Sequence, residues 1–168
     1  MKTINLTIDM KNSYLKLKYA FYIFTLLSVF VLAPSLARAF DNKDYNNNLQ
    51  IINKEGSKIL GNFKVKIANN SNAQEVGLMF VSDLPKDHGL LLEFKKEKIV
   101  HMWMKNTLIS LDMIFIDKND EIVHFYNSAV PLSLDRISSK YKSKRVLEVR
   151  AGSIKRLGID IGDTIKLF

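Results

Sequence analysis

Six consecutive positions, Leu111-Asp112-Met113-Ile114-Phe115-Ile116, carry five large apolar side chains and one carboxylate. On a strand, successive side chains point to opposite faces, so Leu111, Met113 and Phe115 take one face and Asp112, Ile114 and Ile116 the other. Neither face tolerates water, which requires a strand inside a sheet with a packed layer on each side. Asp112 then needs compensation, because a carboxylate among apolar neighbours costs several kcal/mol unless a cation or several N–H groups satisfy it. The polar corner just upstream, Lys105-Asn106-Thr107, supplies candidate partners. Three readings stay open: Asp112 ties that corner to the sheet, it is a perturbed acid or base in a cleft, or it is a surface Asp.

The rest of the chain supplies strands of the same kind. Leu49 to Asn53, Phe63 to Ile67, Leu90 to Phe94, Ile99 to Met104, Glu121 to Tyr126, Arg145 to Arg150 and Thr164 to Phe168 have β-type patterns, the second alternating with lysines at period 2. Asp117-Lys118-Asn119-Asp120 is a hairpin turn, Lys95 to Lys98 a charged turn, and Asn127 to Ser143 an exposed loop with a basic cluster at Lys140, Lys142, Lys144 and Arg145. Ser71 and Gln74 have the spacing of a capping box, with Val76, Met79 and Phe80 as the apolar face of the short helix that follows. Gly77 inside that helix points to close approach of a neighbour. Ser153 to Leu157 forms one or two further helical turns before Gly158. The expected fold class is α+β: mostly antiparallel β, a barrel-like or strongly curved sheet of about eight short strands, with one or two short helices.

The N-terminus stands apart. Lys11, Lys16 and Lys18 precede an uncharged apolar run from Tyr19 to Ala37, and Ala37-Arg38-Ala39 offers small residues before a cleavage point, as in an export signal. The alternative is an uncleaved anchor over residues 19–37. A start at Met10 instead of Met1 gives a shorter and more ordinary signal. The expected organisation is therefore residues 1–39 as signal, 40–48 as a flexible lead-in and 49–168 as one β-rich domain, exported to the periplasm or beyond. Residues 1–39 hold five Lys/Arg and one Asp, so about half of the formal charge of +8 stays with the remainder. That excess is mild and dispersed, which argues for a solvated surface and against nucleic acid. The chain has no cysteine, which excludes disulfides and thiolate chemistry.

Glu75-Val76-Gly77-Leu78-Met79-Phe80, Gly89-Leu90-Leu91-Leu92, Trp103-Met104-Lys105-Asn106-Thr107 with Leu111-Asp112-Met113, and Val146-Leu147-Glu148-Val149 with Ala151-Gly152 and Gly162-Asp163 resemble the domain of unknown function 192 family. The resemblance covers roughly Phe63 to Ile165. It implies a compact β-rich domain and brings no agreed catalytic residues. The sequence departs from the family pattern at Ser110, usually Pro, and at Val81, often Arg.

Trp103 and Lys105 share a face, and a Trp beside a cation and the Asn106 amide suits a sugar or peptide platform. Glu148 alternates with Val146 and Arg150; it forms a surface ion pair, or it converges with Asp112 as an acid–base pair. His101, Met102, Met104, His124 and Met79 are ligand types that suit Cu(I), yet they form no Met-rich run or His pair at ligand spacing. Gly158 and Gly162-Asp163 form no phosphate loop, and Ser71, Ser133 and Ser153 lack a nucleophile-elbow context. The expected site is thus a cleft at the Trp-Met-Lys-Asn-Thr corner with Trp103, Lys105, Asn106, Asp112 and Glu148 lining or supporting it. The expected function is non-catalytic binding of a small molecule, glycan or peptide, without metal or cofactor and touching membrane only through the N-terminal segment. A hydrolase of envelope or extracellular polymers and a structural or assembly factor are the alternatives.

Overall fold

The computed structural model describes residues 42–168. The readings made for the export signal, its cleavage and the anchor lie outside the described residues. Among the described residues no helix is long and apolar enough to cross a membrane.

After a single 3-10 turn at Asn42–Asp44 come β1 (Asn47–Ile52), β2 (Ile59–Ala68), α1 (Ser71–Val76), β3 (His88–Met102), β4 (Leu111–Ile116), β5 (Ile122–Ala129), β6 (Ile137–Arg150), α2 (Ser153–Leu157) and β7 (Thr164–Leu167). The strands form one seven-stranded sheet in the order β5-β4-β6-β3-β2-β1-β7. Every neighbouring pair is antiparallel except β2 with β3. A parallel pair cannot be closed by a tight hairpin. The chain between Ala68 and His88 therefore crosses over the sheet, carrying α1 with it.

The sheet curls until its two outermost strands meet at one end. Glu121 bridges to Thr164, and backbone bonds run from Ile122 N to the Asp163 carbonyl (2.7 Å), from Gly162 N to that of Ile122 (2.9 Å) and from Ile165 N to that of Asp120 (2.9 Å). Pairing the edges removes the open ladder that would template aggregation. Asp163, buried at this seam, accepts from Lys54 N (3.0 Å) and Asp160 N (2.7 Å) and so locks the closure.

Two apolar clusters follow. The inner one draws side chains from all seven strands, among them Leu49, Phe63, Leu91, Ile114, Ile122, Leu147 and Ile165, with Ile154 of α2 beside them. The outer one covers the other face of β3, β4 and β6 with Leu78, Val81 and Leu84 of the crossover, with Tyr45 and with Met104. All six residues of β4 are buried between the two layers, as the sequence requires.

Four local expectations change. Lys95 to Lys98 is no turn; it lies within β3, whose pairing with β6 shifts register between Glu93 and Lys98. There the Lys144 ammonium donates to the Phe94 and Lys95 carbonyls (2.5 and 3.1 Å). The loop expected from Asn127 to Ser143 is mostly strand, since β5 runs to Ala129 and β6 begins at Ile137. The helix cap is Asn70, whose side chain accepts from Ala73 N (2.9 Å), and the helix ends at Gly77 before Met79 and Phe80 can form a face. The lead-in belongs to the fold from Asn42 onward, because Tyr45 is buried with its ring edge-on to His88 and Asn47 and Asn48 pair with β2.

Candidate functional site

The crossover, β3 and the C-terminal part of β6 enclose a cleft of about 330 Å³. Its apolar wall is Leu92, Phe94, Val100 and Met102 of β3. Gln74, Glu75, Gly77 and Met79 face them from α1 and the turn after it, and Trp103 stands at the rim.

At the bottom lies Glu148. The side chain is buried, 4% exposed, and its Oε2 has no hydrogen-bond partner. Burial alone pushes its carboxyl up to about 7, because no neighbouring cation compensates the charged form. Gly77 lies beside it in a backbone conformation that favours glycine, φ +50°, and a Cβ there would meet Oε2 at an ordinary contact distance of 3.7 Å. Gly89 is required for a different reason, since a Cβ at that position would lie 2.8 Å from the Glu148 carbonyl oxygen.

The polar corner braces the cleft from the side. Thr107 N bonds to the Met104 carbonyl (3.0 Å), Asn106 turns the chain with φ +56°, and its carbonyl accepts from Phe80 N (2.8 Å). The Asn106 amide lies 3.8 Å from the Met79 sulfur. Trp103 is 42% exposed, and the Lys105 ammonium lies 5.1 Å from its ring centroid. Lys98 sits likewise over Phe94 at 4.5 Å. Ser110, where proline is usual, donates its hydroxyl to the Ala129 carbonyl (2.8 Å) and so fixes the same corner through a side chain.

Of the residues expected at the site, Trp103 and Glu148 line the cleft, while Lys105 and Asn106 support it through Trp103 and Met79. Asp112 does not belong to it. The carboxylate accepts from Ser128 N (2.9 Å) and Ile154 N (3.0 Å), not from Lys105, Asn106 or Thr107. Both donors need it. The β4–β5 register shifts between Leu111 and Met113, which leaves Ser128 in a bulge with φ +51°. The helix α2 begins at Gly152, which has no side chain to cap it. Asp112 is therefore the tie to the sheet, with different partners from those expected.

The paired-carboxylate expectation fails on parity. Asp112 stands opposite Val149 and Met113 opposite Glu148 in the β4–β6 ladder. Directly opposed residues share a face and neighbours alternate, so the two carboxylates point to opposite sides of the sheet. Glu148 forms no surface ion pair either. Among the described residues no three His, Cys, Asp or Glu side chains gather as a metal centre would need. Met79, His101 and Met102 line the cleft, whereas Met104 is packed in the outer core and His124 stacks on Phe115. Burial and the Lys140 charge hold the His124 imidazole below its usual range.

Gln74, Glu75, Phe94 and Lys98, which also line the cleft, carry little sign of it in the sequence. The available signal was Gly77, which lies beside Glu148, though its reason is the positive φ at the helix end and not the close approach expected for it.

A family model for DUF192, an uncharacterized ACR, matches residues 51–167. The chain belongs to the DUF192 family. Two solved structures share the fold of this DUF192 chain. One, from Sinorhizobium meliloti 1021 and named a "putative transcription regulator", is 35% identical with a TM-score of 0.69, over 73% of this chain and 95% of that one. The other, a protein of unknown function from Novosphingobium aromaticivorans DSM 12444, is 28% identical with a TM-score of 0.67, over 71% of this chain and 83% of that one. A comparison with curated proteins finds no match.

Proposed function

We propose that this DUF192 chain is an exported, non-catalytic binding domain whose cleft beside the Trp103 corner takes a small molecule, glycan or peptide. One observation carries the reading. Glu148 Oε2 is buried without a hydrogen-bond partner at the bottom of a cleft of about 330 Å³ whose β3 wall is apolar, an arrangement that costs stability unless something else satisfies it. The half-exposed indole of Trp103 at the rim adds the contact surface typical of recognition sites. Asp112, the residue expected to pair with Glu148 as acid and base, faces the other way. Export rests on the sequence of residues 1–39.

The regulator name of the S. meliloti relative does not lead us to nucleic acid. Among the described residues the helices have six and five residues, too short to serve as a groove-reading recognition helix. A second reading, docking of a protein partner as an assembly factor, draws support from Leu108, Val130, Leu132 and Leu134, all exposed. Their loop is held to the corner through Leu132 N to the Thr107 carbonyl (3.1 Å) and Met104 N to that of Ser133 (3.0 Å).

The test is a screen of glycans, peptides and small organic ions by thermal shift and by the emission of Trp103, the single tryptophan. A saturable response that Glu148→Leu removes supports the cleft. No response to any class, together with intact cellular function of Trp103→Ala and Glu148→Leu, overturns it. For docking, Leu132→Asp with Leu134→Asp must abolish co-purification of a partner while cleft binding persists. Fractionation of the full chain tests export, with Phe40 as the expected new N-terminus.

A further inference from the structure

We infer that the cleft takes a primary ammonium group on an apolar stem, the chemistry shared by an alkylamine and a lysine side chain, with the Glu148 carboxylate as its counter-ion. This rests on the binding-cleft reading and narrows its ligand class.

At the bottom of the cleft the unspent polar atom is an acceptor, Glu148 Oε2. The Gln74 amide, a donor in the cleft lining, already gives its hydrogens to the Ala68 and Glu93 carbonyls (3.2 and 2.6 Å). A polyol would bury several hydroxyls against Leu92, Phe94, Val100 and Met102 with little to bond them. An anion would meet Glu148 with no buried donor to offset the repulsion. A cation gains the missing Coulomb partner, and its stem covers the apolar wall.

The remaining charges agree. The other groups facing the cleft are Glu75 from the α1 side and Lys98 and His101 from β3. The Lys98 and Lys105 ammonium groups lie over the Phe94 and Trp103 rings, so the aromatic faces here already hold cations. Neither lysine bonds to Glu148. Since burial without a counter-ion holds that carboxyl up to about 7, an arriving ammonium must displace its proton in mildly acidic solution. Binding at pH 6 therefore releases close to one proton, and affinity falls about tenfold per pH unit below 7.

The experiment titrates the full chain with hexylammonium, Nα-acetyl-lysine methylamide, hexanol and hexanoate, reading Trp103 emission and calorimetric proton release in two buffers. The expected result is binding of one or both amines, with proton release at pH 6. The tighter of the two identifies the source as a free amine or a lysyl group. Glu148→Gln should weaken amine binding at least about tenfold and leave hexanol unchanged. If hexanol binds as well as hexylammonium at every pH, or hexanoate binds best, the ammonium assignment is overturned while the cleft stands. If none of the four binds and the wider glycan and peptide panel is also silent, the cleft reading falls with it.

Discussion

Replacing Glu148 by glutamine should stabilise the protein, and the gain should depend on pH. The ordinary carboxyl value of 4.5 is pushed up to about 7 in the fold. Below about pH 4.5 both folded and unfolded chains hold the proton, and Glu148 contributes no pH dependence. Between 4.5 and 7 the unfolded chain ionises while the folded one keeps its proton, so the folded state binds more protons and stability falls as pH rises. Above 7 the loss is complete. At about 1.4 kcal/mol per pH unit of displacement, the loss approaches 3 kcal/mol, a large part of a typical 5–15 kcal/mol. Glutamine has the same shape and no charge. At pH 4 the two proteins should agree within about 1 kcal/mol, and at pH 8 Glu148→Gln should be the more stable by about 3 kcal/mol. Urea unfolding at half-unit steps from pH 4 to 8 measures both curves, and their difference cancels the groups that the two proteins share. Parallel curves, or a variant less stable than wild type at pH 8, would mean that the carboxylate has a native partner and the reasoning is wrong.

Asp112→Asn should cost about 2–3 kcal/mol, since one of the two backbone N–H groups at Ser128 and Ile154 then meets an amide nitrogen; a loss below 0.5 kcal/mol in urea unfolding would refute the tie. Asp163→Ala removes the acceptor for Lys54 N and Asp160 N and should lower stability by about 2 kcal/mol. Hydrogen exchange should quicken in β7 well before β4. Gly77→Ala should cost about 1–3 kcal/mol from its backbone conformation, φ +50° and ψ −130°, and unchanged stability would show that the turn beside Glu148 relaxes freely.

The curled sheet was legible because its constraint is local: β4 has no wet face, the Asp117–Asp120 turn has hairpin composition, and Ser153 to Leu157 with Gly158 marks a helix. Its longest pieces were not. Lys95 to Lys98 looks like a turn because exposed lysines and turns share a composition, yet a strand at the sheet's rim exposes its residues just as a turn does. Ile137 to Ser143 misled for the same reason, compounded by Ser139. That hydroxyl accepts from Val100 N (3.0 Å) and donates to the Tyr141 carbonyl (2.5 Å), taking over ladder bonds at a bulge and putting a polar residue where a strand pattern would show an apolar one.

The two carboxylates show where one-strand reasoning stops. Asp112 and Glu148 each sit among apolar neighbours, and from the sequence the stranger of the two was Asp112, the single charge in a fully buried run. What separates them is the supply of donors, which depends on register. A bulge at Ser128 and a helix start at Ile154 aim two N–H groups at Asp112. Glu148, opposite Met113 and on the other face from Asp112, lies beside the turn at Gly77, and its Oε2 receives no hydrogen bond. A satisfied buried charge holds a fold together, whereas an unsatisfied one depresses stability until a ligand arrives. On the proposed binding reading, the functional burden moves from the carboxylate that the sequence makes conspicuous to the one whose Oε2 the fold leaves without a partner.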